Sequence, residues 1–88
     1  MKENNKTAKF ILDALSKACN VPIHEICLLN HNEMGFKAYV HGTSWYDKNV
    51  INTIKNTWSV TEDNITTEIS PNIWWLLGSY GYVIEVKY

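Results

Sequence analysis

The chain has 88 residues and a formal net charge of −1, from 8 basic and 9 acidic side chains, and every basic one is a lysine. A chain this short hides only about 60–65% of the surface its unfolded form exposes, so it is limited to one globular domain, residues 1–88, that leans on large side chains. The near-zero charge and the missing arginine argue against a general binder of folded nucleic acid, since phosphate contacts supply most of such affinity and arginine is the best bidentate reader of phosphate and guanine.

The large side chains are present: four Trp, five Tyr and two Phe. Each buries on the order of 150–250 Å², enough to fold without a metal or a disulfide. The first ten residues, MKENNKTAKF, lack the apolar stretch of a secretion signal, and no apolar run approaches the ~20 residues of a membrane span. A cytoplasmic protein with Cys19 and Cys27 as free thiols is expected.

Along the chain, Ala8, Ile11, Leu12, Leu15, Ala18 and Cys19 fall on one helical face. Asn4 or Asn5 is the expected cap, and Asn20 before Val21-Pro22 is the expected stop. Ile23 to Asn30 reads as a strand that is apolar on both faces, hence central. Gly35 to His41 alternates Phe36, Ala38, Val40 against Lys37, Tyr39, His41 and reads as a half-exposed partner strand. The residues between them, His31 to Met34, suit a four-residue hairpin loop. Ser44 with Asp47 resembles a capping box, and Val50, Ile51, Ile54 and Trp58 mark a second amphipathic helix. Asn64 to Ile69 alternates as a strand. Residues Ile73 to Leu77 fit either a strand or a short helix framed by Pro71 and Gly78. Tyr82 to Tyr88 alternates cleanly, with Tyr82, Ile84, Val86 and Tyr88 on one face.

The order α-β-β-α-β-(β or short α)-β, with two helices needing to bury a stripe, predicts an α+β fold. It is a two-layer sandwich, with both amphipathic helices on one face of a mainly antiparallel sheet and the other face partly open.

No pattern carries catalysis or metal binding. His24, His31, His41, Cys19 and Cys27 crowd one third of the chain, but without the tight two-ligand turns of zinc sites. Cys27 and His41 could meet across the hairpin, yet no Asn or Asp is obviously placed behind the histidine. Gly78-Ser79-Tyr80-Gly81 matches a GxxG loop that clamps nucleic-acid backbone, but it carries no basic residue, and turn geometry explains the glycines.

The aromatics are the remaining signal, because so thin a domain cannot bury all of them. Trp74 and Trp75, Tyr80, Tyr82, Tyr39 and Trp45 are the candidate contact residues, since Trp and Tyr are enriched at binding hot spots. The expected function is a small non-catalytic protein-binding module, an inhibitor, adaptor or antitoxin-like partner of the kind phages and plasmids encode. It would act on a protein partner or on a second copy of itself, with no cofactor and no metal. The alternative is a single-stranded nucleic-acid-binding domain that stacks bases on these rings and uses the Gly78–Gly81 turn.

Overall fold

The computed structural model describes residues 5–41, 48–71 and 80–88, with the backbone alone at 71 and 80. The first helix, α1 (Ala8–Cys19), buries Ile11, Leu15 and Cys19. Its cap is Thr7 rather than Asn4 or Asn5: the Thr7 hydroxyl accepts the Phe10 N–H at 3.2 Å. Asn5 is used elsewhere. Its side-chain amide donates to the Thr57 carbonyl at 3.1 Å, and its own carbonyl accepts the Trp58 indole N–H at 2.7 Å. Asn20 ends the helix in the left-handed region at φ 57°, ψ 47°, which asparagine tolerates better than most residues.

Ile23–Glu25 forms a 3-10 turn, so the first strand, β1 (Ile26–Asn32), starts later and runs further than its sequence suggests. The second, β2 (Gly35–His41), follows a turn of only two residues, Glu33 and Met34, in place of the expected four. The Asn32 side chain closes that turn by accepting the Met34 N–H at 2.7 Å. The second helix, α2 (Lys48–Trp58), buries Val50, Ile54 and Trp58. Its expected cap, Ser44 with Asp47, lies outside the described residues. A 3-10 turn at Glu62–Asn64 then leads into β3 (Ile65–Pro71), and the chain ends with β4 (Tyr80–Lys87). The ambiguous stretch from Ile73 to Leu77 also lies outside the described residues.

The four strands form one antiparallel sheet in the order β1-β2-β4-β3. The last strand therefore inserts between the second and the third. This corrects the expectation for the hairpin: β1 is an edge strand and β2 is interior, paired over seven positions with β4. The apolar run in β1 had a different cause. The register with β2 shifts between Leu28 and Asn30, and Leu29 in that bulge stands 44% exposed.

Both helices cover one face. Phe36, Ala38 and Val40 of β2, with Tyr82, Ile84 and Val86 of β4, meet Ile11, Leu15, Val50, Ile54 and Trp58 in a single buried cluster. The architecture is thus an α+β two-layer sandwich with the element order α-β-β-α-β-β.

Candidate functional site

The face turned away from the helices is polar over much of its area. Lys37 on β2 stands opposite Glu85 on β4, and Glu85 stands opposite Thr66 on β3. Lys37, Thr66, Glu68 and Lys87 are all exposed. Opposite charges placed directly across neighbouring strands favour this register and keep the face solvated.

One end of the sheet differs. The register places His41, Gly81 and Ser70 in a row across three strands, with Pro71 paired to Tyr80 just beyond. The stretch that carries Trp74 and Trp75 leaves the sheet at Pro71 and re-enters it at Tyr80, on adjoining strands. The stretch that carries Trp45 leaves from His41 at this same end. The stretches that carry three of the four tryptophans therefore join the sheet at a single end. Trp45, Trp74 and Trp75 themselves, and the Tyr80 side chain, lie outside the described residues.

Two of the six candidate contact residues are not surface groups. Tyr39 is 0% exposed and Tyr82 is 1% exposed, against the expectation that both would face a partner. Tyr82 alternates with Ile84 and Val86 onto the helix side and belongs to the core. Tyr39 is on the opposite face, as the alternation of β2 requires, but its ring packs against Gly81. A methyl group at Gly81 would stand 2.6 Å from the Tyr39 ring and hydroxyl and 2.4 Å from the Val40 carbonyl oxygen. This close approach also accounts for the second glycine of the Gly78–Gly81 pattern, which sits inside β4 with its backbone paired.

Histidine and cysteine chemistry is spread out. His24 is exposed in the 3-10 turn, His31 is exposed on β1, and Cys19 is buried in α1. Cys27 and His41 share the open face. Glu25, at the end of the 3-10 turn, brings a carboxylate oxygen within 4.0 Å of His41 Nδ1. The sequence alone hides that neighbour, because Ile23 to Asn30 reads as one strand whereas Ile23–Glu25 is a 3-10 turn. Among the described residues, no group of three or more His, Cys, Asp or Glu side chains gathers closely enough to hold a metal ion.

Both thiols are free. Burial pushes the Cys19 thiol above its ordinary value of 9.0, with a hydrogen bond involving Tyr82 opposing in part. An unfolded chain therefore loses this proton near pH 9 while the folded chain keeps it. Stability falls as pH rises past about 9. Burial raises Tyr88 above 10.0 and acts in the same direction at higher pH. The expected result is a denaturant midpoint that declines between about pH 8.5 and 10.5, and declines less steeply in Cys19→Ala. Equal slopes in the two proteins would mean that Cys19 has no part in it.

At the far end of the sheet, the hairpin turn and the C-terminal residues of β4 border an open groove. Leu29 and Met34 stand beside Lys37, Glu85 and Lys87 there, and Met34 is 78% exposed. No described helix is long and apolar enough to cross a membrane. In comparisons with protein-family models, curated proteins and solved structures, nothing matches this chain.

Proposed function

We propose that the chain is a small protein-binding module with no reaction of its own, an inhibitor, adaptor or antitoxin-like protein. It acts in the cytoplasm and grips a protein partner at the tryptophan-bearing end of its sheet. The observation that carries this reading is the row His41–Gly81–Ser70 with the Pro71–Tyr80 pair beyond it, the end of the sheet at which the stretches holding Trp45, Trp74 and Trp75 join the strands. Tryptophan truncation at an interface centre commonly costs about 2–4 kcal/mol, so a few such rings suffice for a specific complex. Tyr39 and Tyr82 serve this surface from below. Both are buried near this end, Tyr39 on the open face and Tyr82 on the helix face, and they brace it rather than touch the partner.

The test is affinity capture from the source cells with the wild-type chain and with a Trp74→Ala, Trp75→Ala double variant whose circular dichroism is unchanged. One protein held in near-equimolar amount by the wild type, and at least about tenfold less by the variant, is the expected result. Equal retention would remove the aromatic end from the interface. Quenching of tryptophan fluorescence by a single-stranded oligonucleotide, weakening steeply with salt, would turn the reading toward nucleic acid.

A further inference from the structure

Among the described residues no strand pairs with the outer edge of β3. That edge is self-complementary, and we propose that two copies of this chain pair through it. Tyr88 donates its backbone N–H to the Met34 carbonyl at 3.0 Å, directly across the β2–β4 ladder. Even-numbered residues of β4 therefore turn their backbone polar groups to β2, and odd-numbered ones turn theirs to β3. Thr66, Glu68 and Ser70, opposite Glu85, Val83 and Gly81, are spent on β4. The outward groups of β3 belong to Ile65, Thr67 and Ile69. The Ile65 N–H is already held by the Glu62 carbonyl, and Pro71 has no N–H. What remains is a short, well-bounded row: the Ile65 carbonyl, both groups of Thr67 and both groups of Ile69.

This row fits a second copy of itself in one register. With a two-fold axis at Thr67, antiparallel pairing sets Thr67 against its own copy and Ile65 against Ile69. It forms about four backbone hydrogen bonds. Ile69, 58% exposed on the helix side of the sheet, then packs on the other copy's Ile65. On the open face Glu68 meets Thr66. Sliding the axis to Glu68 keeps the bond number but sets two carboxylates face to face, which is destabilising. Sliding it to Thr66 leaves about half the bonds. The pairing is isologous, as a closed dimer requires, and each copy carries a formal charge of only −1. The other edge lacks these properties, since β1 is bulged at Leu29. The result is a continuous eight-stranded sheet with all four helices on one face. It stands whether or not the aromatic end binds a different protein.

The experiment combines mass and register. The wild-type chain of 10.2 kDa is measured by light scattering from about 10 to 500 μM, and the expected limit at high concentration is twice that mass. Thr67→Pro removes an outward N–H and no ladder bond, and Ile69→Lys places a charge in the pairing; each is expected to stay at 10.2 kDa with unchanged circular dichroism. In a Cys27→Ser background, Thr67→Cys is expected to cross-link to its own copy under mild oxidation, whereas Ile65→Cys, far from its own copy in this register, does not. A monomer throughout with no Thr67→Cys cross-link overturns the proposal. So does a dimer that survives Thr67→Pro and Ile69→Lys, or one in which Ile65→Cys cross-links as well as Thr67→Cys.

Discussion

Truncating Trp58 to alanine is expected to cost about 3–5 kcal/mol and to lower the melting temperature by roughly 15–30 °C. The indole is 6% exposed at the end of α2 and joins three parts of the chain. Its ring lies 4.8 Å from Phe36 on β2 and 6.2 Å, edge-on, from Phe10 on α1. Its N–H donates to the Asn5 carbonyl, which ties the segment before α1 to the end of α2. Removing the ring therefore opens a cavity at the junction of both helices and the sheet. Trp58→Phe separates the contributions, because it keeps most of the aromatic packing and loses the hydrogen bond. A cost of about 1–2 kcal/mol is expected there. Thermal denaturation of the three proteins followed by circular dichroism measures both values, and equal losses for Phe and Ala would assign the effect to the hydrogen bond alone.

Gly35→Ala is the second large effect, expected at about 3–5 kcal/mol from combined overpacking and backbone strain. Gly35 opens β2 at φ +156°, where it pairs with Lys87. A Cβ there would stand 2.1 Å from the Val86 carbonyl oxygen and 3.1 Å from the Lys87 Cα. Both are backbone atoms of a central strand, so neither can swing aside as a side-chain tip could. The strand would have to part from β4 at the end where Tyr88 bonds to Met34. Against a total stability of roughly 5 kcal/mol for a domain of this size, most of the chain is expected to be unfolded at 37 °C. A cooperative melt close to the wild-type temperature would show that β2 and β4 separate more easily than their register implies.

What could be read from the residues was whatever repeats locally. The i, i+3, i+4, i+7 spacing from Ala8 to Cys19 matched α1, and Val50, Ile54 and Trp58 matched the buried side of α2. The alternation of Tyr82, Ile84 and Val86 correctly put these three on one face of β4, but did not tell which face the helices cover. Strand order was not legible. Placing β4 between β2 and β3 depends on β2–β4 pairs 40 to 52 positions apart, and no local period encodes that. The two tyrosines show the same limit from opposite sides. Tyr82 followed its alternation into the core, where excess aromatic content had suggested exposure. Tyr39 obeyed its alternation and faces away from the helices, yet it is 0% exposed, and its ring lies against Gly81 on a strand distant in sequence. The proposed binding end emerged only from register, which sets His41, Gly81 and Ser70 in one row at the end of the sheet where the stretches carrying Trp45, Trp74 and Trp75 join the strands.

Hydroxyl-radical footprinting of the captured complex tests the location of the binding surface most directly. Met34, 78% exposed at the opposite end of the sheet, provides an internal reference. Binding at the aromatic end predicts that the partner suppresses oxidation of Trp45, Trp74 and Trp75 severalfold while Met34 oxidises at the rate of the free chain. Protection of Met34 with the three tryptophans unchanged would place the partner on the hairpin end and contradict it.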